Sequence, residues 1–200
     1  MAFQDQFSYH GPTRLLMGQG SINSVPELLS ENQLKKTLIV TDPGLIKANK
    51  VKKITDILDL KHQPYVIYDQ VQPNPPIKNV QECADLYIGE KCDHMITVGG
   101  GSPMDTAKCA GVIINNGGHI SEYFIGSAKV VSHRIPFLIC IPTTYGTASE
   151  VTPFAVITNG NFKSTVAGPN IIPHIGIIDP DISVDLPLSI AAATGMDTLT

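Results

Sequence analysis

Two kinds of segment alternate along most of the chain: short runs that are apolar at nearly every position, and longer ones whose apolar residues recur every three or four positions. Thr37-Leu-Ile-Val-Thr41, Tyr65-Val-Ile-Tyr68, Met95-Ile-Thr-Val98 and Phe137-Leu-Ile-Cys-Ile141 are of the first kind. Their β-branched content and lack of alternation fit strands covered on both faces. Ile77, Val80, Cys83, Ala84, Tyr87 and Ile88 are of the second kind, so one stripe of a helix meets a sheet while Gln81, Glu82 and Glu90 face water. Asp42-Pro43 pairs an N-cap with the residue type favoured at the first helical position, and opens a short helix where the first of these strands ends. Ser21 to Ser30 and Val51 to Leu60 are further helix candidates. The order predicts an α/β fold with a parallel sheet flanked by helices.

From Val151 the pattern changes to short alternating runs, Phe154-Ala-Val-Ile157 and Ser164-Thr-Val166, with Asn159-Gly160 between them as the signal of a small β-hairpin. Gly176-Ile-Ile-Asp-Pro180 then reads as one more core strand ending in a helix-breaking pair. Residues 188–200 read as helix with no terminating signal. The Pro-rich Gln72-Pro-Asn-Pro-Pro76 is too short for a domain linker and reads as a stiff loop leaving a strand.

Two hundred residues, 42% hydrophobic and 16% charged, suffice for one large or two small cored domains. The net charge of −4 and the singly scattered basic residues exclude a nucleic-acid backbone or an anionic membrane as partner. No apolar run approaches the roughly 20 residues that span a bilayer, and Met1 to Tyr9 lacks the layout of a signal peptide, so a cytoplasmic protein is expected. Cys83, Cys92, Cys109 and Cys140 form no C-x-x-C pair and read as reduced structural thiols, and the six histidines show no metal-ligand spacing.

Three segments carry chemistry. Val98-Gly-Gly-Gly-Ser-Pro-Met-Asp-Thr-Ala-Lys108 runs from a strand through three glycines into a helix. Glycines admit close backbone approach, and the free N–H groups of a helix start attract an anion, so a pyrophosphate is the natural guest; a merely tight turn is the alternative. Ser102 is placed to cap this helix, Pro103 to occupy its first position and Asp105 to lie in its first turn. The spacing departs from G-x-G-x-x-G. Pro142-Thr-Thr-Tyr-Gly-Thr-Ala-Ser-Glu-Val-Thr152 also follows a core strand. Its Thr143, Thr144, Thr147 and Ser149 form either a polar wall for a nucleotide or a solvated turn. Asp42, at a strand's carboxyl end, stands where open α/β sheets meet an adenosine ribose, and N-capping is its other reading.

Together these segments resemble the iron-containing (group III) alcohol dehydrogenases over nearly the whole chain. The resemblance is carried by Gly18-Gln-Gly-Ser21, Thr41-Asp42, Pro73-Asn-Pro75, Gly99 to Asp105 with Ala107-Lys108, Pro142 to Thr152, Asp179-Pro180 and Ala192-Ala-Thr-Gly-Met-Asp197. It implies a Rossmann-like fold in which Asp42 and Asn74 contact the adenosine side of NAD, and Gly99, Gly100, Gly101 and Ser102 cradle the pyrophosphate. It further implies that Asp105, Thr143, Thr144, Thr147, Ser149 and Lys163 line a ribose or the adenine. Tyr145 stands where the family usually has a small residue.

Asp197 matches the family's first metal ligand, whose helix carries a His four residues on, one position after Thr200. An ordinary exposed helix carboxylate is the reading from the residue alone. The resemblance divides the chain into an NAD-binding α/β domain, residues 1–186, and the first helix, residues 187–200, of an all-helical metal-binding domain. It implies reversible hydride transfer between a primary or short-chain alcohol or aldehyde and NAD at a divalent metal, iron or else zinc, acting as Lewis acid, in a homo-oligomer when full length. Two other readings stand beside it: a glycerol dehydrogenase-like or dehydroquinate synthase-like enzyme, and a nucleotide-binding module without catalysis.

Overall fold

A computed structural model describes residues 11–184 and 186–199. Among the described residues six parallel strands form one sheet: β1 (Arg14–Met17), β2 (Thr37–Val40), β3 (Tyr65–Tyr68), β4 (His94–Gly99), β5 (Phe137–Pro142) and β8 (Ile175–Ile178), in the order β1-β8-β5-β4-β2-β3. A separate antiparallel hairpin joins β6 (Phe154–Asn159) to β7 (Phe162–Ala167). The helices are α1 (Val25–Glu31), α2 (Pro43–Lys47), α3 (Lys52–Leu60), α4 (Ile77–Gly89), α5 (Gly101–Asn116), α6 (Pro180–Ser183) and α7 (Leu188–Leu199). The fold is the α/β class that the alternating pattern predicts.

Alternation within the strands divides the core in two. Leu38, Val40, Met95, Leu138 and Cys140 point to the face covered by α4 and α5. Ile39, Ile96, Val98, Ile139 and Ile141 point to the face covered by α1 and α3. Because both faces are covered, the strands carry apolar side chains on both sides, which is why they read as continuous apolar runs. All four cysteines are buried free thiols.

Three elements differ from expectation. The segment from Ser21 opens as a 3-10 turn, Ser21–Ser24, before α1 begins, with Pro26 in the first turn of α1, where its missing N–H costs no hydrogen bond. Ile88 lies at the margin of the α4 stripe and is 59% exposed. The hairpin register pairs Asn159 with Phe162, so the loop is Gly160-Asn161, one residue later than the Asn-Gly signal. Gly160 has φ 61 at the first loop position, where an L side chain is disfavoured.

The strand order sets where a ligand can sit. From β2 the chain crosses to its neighbour β3 through α2 and α3 on one face, then returns past β2 to β4 through α4 on the other. The connections leaving the carboxyl ends of β2 and β4 therefore diverge to opposite faces, and open α/β sheets bind ligands in the crevice this creates.

The opposite end of the sheet is closed by polar bonds. Thr37 and His94 are paired across β2 and β4, and Thr37 Oγ1 lies 2.7 Å from His94 Nε2. His94 Nδ1 lies 2.7 Å from Asp93 Oδ1, and Asp93 also accepts from the backbone N–H groups of Lys35 and Lys36. Burial lowers the His94 pKa despite the neighbouring Asp93. His174 stacks on Phe137 at 4.6 Å between ring centroids and accepts from the Leu138 N–H. Burial, with Arg134 nearby, brings its pKa down to about 4. Both imidazoles fold neutral, while an unfolded histidine titrates near pH ~6.5. Below that pH the unfolded chain binds more protons, so stability falls with falling pH. The urea midpoint is accordingly expected to drop between pH 6.5 and pH 5, and to drop less in a His174→Gln variant; equal slopes in the two proteins would contradict the burial argument.

Candidate functional site

The cleft is built where β2 and β4 end. Asp42 leaves β2 and caps α2, its Oδ1 accepting from the Leu45 N–H at 3.0 Å. From β4 the chain passes through Gly99 and Gly100 directly into α5, which begins at Gly101. Ser102 is thus inside the first turn and does not cap; Gly100 holds the N-cap position without a side-chain bond. Pro103 is the third helical residue, still among the first four positions that have no partner within the helix. Asp105 lies beyond the first turn.

Close approach explains the glycines. A Cβ on Gly99 would stand 2.6 Å from Pro103 Cγ, and one on Gly100 would stand 2.8 Å from Thr144 Oγ1. One on Gly101 would meet Thr147 at 3.4 Å. The loop after β5 therefore lies directly on the glycine turn, and Thr143 N–H donates to the Gly99 carbonyl at 3.0 Å. Thr41 Oγ1 donates to the Val98 carbonyl at 2.8 Å, tying the two diverging strands together just before the cleft.

Two cavities share Gly101 and Ser102 as a common floor. One, of about 290 Å³, lies between α5 and the hairpin and is lined by Asn74, Asp105, Thr147, Ser149 and Lys163 among others. The second, of about 410 Å³, lies toward β2 and is lined by Asp42, Gly100, Thr144 and the Val71-Gln-Pro73 segment. Asn74 has a left-handed backbone, φ 51, and its carbonyl accepts from Thr158 Oγ1 of β6 at 2.9 Å, which joins the proline-rich loop to the hairpin.

The wall between α5 and the hairpin rests on Lys108, whose side chain is fully buried. Its Nζ donates to Ser149 Oγ at 2.9 Å, the Thr152 carbonyl at 3.0 Å and the Phe154 carbonyl at 2.9 Å. All three ammonium protons are thereby used. Ser149 Oγ donates in turn to Asp105 Oδ1 at 2.7 Å, and the Val156 N–H donates to Asp105 Oδ2 at 2.9 Å. Burial pushes the Asp105 pKa up against those two bonds and the Lys108 charge, and pushes the Lys108 pKa down.

The structure thus brings Asp42, Asn74, Gly100, Gly101, Ser102, Asp105, Thr144, Thr147, Ser149 and Lys163 to one cleft. Gly99 stands behind it at the strand end. Thr143 is buried and lines neither cavity. Tyr145 is turned toward α7, where it borders an apolar hollow with Ala191, Ala192 and Met196. Asp197 sits on α7 against Gly146, where a Cβ would fall 2.8 Å from its Oδ2. Among the described residues no group of three or more His, Cys, Asp or Glu side chains could hold a metal. One carboxylate does not hold a catalytic ion against water, so these residues alone do not fit a metal and no step is assigned to one. Sequence reasoning missed the part played by Lys108; its signal was a lysine flanked by Ala107, Cys109 and Ala110 on a helix whose neighbouring face is otherwise apolar.

The sequence pattern of the iron-containing alcohol dehydrogenases matches residues 12–180, and the chain belongs to that family of oxidoreductases. It is similar to a choline dehydrogenase of Bacillus subtilis (strain 168), 39% identical over 201 residues that cover 99% of this chain and 50% of that protein. Among solved structures, a 1,3-propanediol oxidoreductase superposes with a TM-score of 0.90 at 35% identity, over 98% of this chain and 51% of the other. A sulfoacetaldehyde reductase from Bifidobacterium kashiwanohense, solved in complex with NAD+, superposes with a TM-score of 0.87 at 27% identity, over 97% and 51%. The chain spans about half the length of the relatives it matches.

The packing at the glycine turn makes a stability prediction. Gly99→Ala drives a methyl group into the Pro103 ring and is expected to cost about 1–3 kcal/mol, as overpacking does. Gly100→Ala meets only the end of a half-buried threonine side chain and is expected to cost less. Urea unfolding of the two variants measures the difference, and the reverse order would contradict the geometry.

Proposed function

We propose that the chain forms the nucleotide-binding part of a metal-dependent alcohol dehydrogenase that moves a hydride between NAD and a primary or short-chain alcohol or aldehyde. The observation that carries the reading is the cleft at the sheet's switch point, floored by Gly101 and Ser102 at the start of a 16-residue helix, with residue 100 too close to Thr144 to admit a side chain. That floor would take a pyrophosphate on unpaired backbone N–H groups at the positive end of the helix. The two cavities on either side of it suit the two nucleoside halves.

In this reading Asp42 accepts from the adenosine ribose hydroxyls while its other oxygen caps α2, so one side chain serves both purposes. The same carboxylate repels a 2′-phosphate. Asn74, Asp105, Thr147, Ser149 and Lys163 line the other half, and Thr143 supports the glycine turn from behind. Bound there, the nicotinamide supplies or accepts the hydride, and the protein fixes its position. The family's metal, iron or zinc, enters this reading only through Asp197. Residues 1–186 are the nucleotide-binding unit and 187–200 the first helix of a helical one, a division supported by the side chains of Leu188, Met196 and Leu199, which α7 leaves exposed.

Calorimetric titration of the chain with NAD tests the reading. Saturable one-to-one binding is expected, weakened at least tenfold in Gly100→Val, whose side chain would fill the floor. Asp42→Gly is expected to narrow the preference for NAD over NADP by tenfold or more. Absence of NAD binding by a folded chain would refute the assignment, and an unchanged NADP affinity in Asp42→Gly would refute the part given to Asp42.

A further inference from the structure

A lysine that is fully buried, spends all three protons inside the protein and stands one helical turn from a half-buried carboxylate calls for an account beyond packing. Asp105 and Lys108 lie on α5 at i and i+3, joined by the hydroxyl of Ser149 from the loop after β5. An ammonium can only donate, so Ser149 must accept from Lys108. The single proton of Ser149 is then directed to Asp105 Oδ1, and the Val156 N–H supplies a second donor at Oδ2. Both contacts are of the kind that a charged carboxylate accepts and a protonated one satisfies less well.

We propose that Lys108 is a positioning residue: through Ser149 it keeps the Asp105 carboxylate charged and turned into the cavity between α5 and the hairpin, so that this wall offers acceptors to a ligand bearing hydroxyl groups. Without the ammonium the Ser149 hydroxyl is free to rotate, and a protonated Asp105 can donate to it. Lys108 thus decides the direction of the proton between residues 149 and 105. Burial pushes the carboxyl toward protonation, which is the tendency that the bracket opposes. The other titratable groups facing this pair are Cys109 on α5, Cys140 on β5, Glu150 in the loop and, across the cavity on β7, Lys163. Both thiols are held protonated by burial. The identity of the ligand rests on the nucleotide reading above; the state of the carboxyl does not.

The experiment is a carbon-13 NMR titration of the Asp105 side-chain carboxyl in the full chain, in the wild type and in Lys108→Met. The midpoint is expected to rise by about one unit in the variant, the lower end of what loss of an opposite charge at this range produces. An unchanged midpoint overturns the proposal. Should Lys108→Met fail to fold by circular dichroism, Ser149→Ala decides in the same way, since it removes the bridge and leaves Lys108 its two carbonyl partners. In parallel, NAD affinity measured at pH 8 and at a pH between the two measured midpoints is expected to fall severalfold more with acidification in the variant than in the wild type. An affinity that ignores pH in a variant whose midpoint has moved overturns the role toward the ligand. Lack of NAD binding by either protein overturns the nucleotide reading instead, and the carboxyl midpoint still decides this one.

Discussion

One wall of the cleft is pinned at its polar side by a buried ammonium, that of Lys108. The hairpin of β6 and β7 is not part of the main sheet; it is joined to the rest of the domain by Ala155, Ile157 and Val166, buried in the core under α4 and α5, by isolated bridges and backbone bonds, by the Thr158 bond to Asn74 and by what Lys108 and Asp105 hold. Burying a charge is costly unless every proton has a partner. Here each partner belongs to a segment that must stand still for the cavity to exist: Ser149 in the loop, Thr152 at its end and Phe154 where the hairpin starts. A shorter or apolar side chain would leave a buried hydroxyl and two carbonyls without a donor. The cost of the charge is offset only when the loop and hairpin are in place, so the lysine couples the placement of the wall to the folding of the helix.

The second constraint is topological. The divergence of the chain after β2 and β4 opens the crevice, and the glycines after β4 let the β5 loop close over its floor without filling it. Thr41 and Thr143 tie that floor to the strand ends on either side. The start of α5 is thus fixed by the sheet, and the two cavities beside it are shaped by loop segments that specific hydrogen bonds pin in place.

Much of this was legible in the sequence, for physical reasons that also mark its limits. Strands covered on both faces must be apolar throughout, and β2, β3, β4 and β5 were visible for that reason. Asp42-Pro43 is a local capping signal and fell where it was read. Local signals failed where the backbone offered more than one way to satisfy them: Ser102 and Pro103 suit a helix start, yet the helix opens at Gly101 because the first turns of α5 tolerate a proline and the glycine turn lies tightly against the β5 loop. The division of the hydroxyl residues was also hidden. Thr143 faces inward while Thr144, Thr147 and the otherwise buried Ser149 line the cleft, and nothing in the run of small polar residues sets Thr143 apart. The role of Lys108 depends on carbonyls more than forty residues away, so no window of local pattern contains it.

The place of β1 has a consequence for how the protein is made. Among the described residues it is the first strand and lies at the edge of the sheet beside β8, the last, with Arg14 opposite Ile175. Closing a loop of that length costs only a logarithmically growing entropy, so the pairing is thermodynamically cheap. In time it is demanding, because the partner of β1 among the described strands, β8, is complete only when residues 175–178 have left the ribosome. Four strands, β2 to β5, can assemble while synthesis continues, and among the described pairings that of β1 with β8 is the one whose two strands are made furthest apart in time.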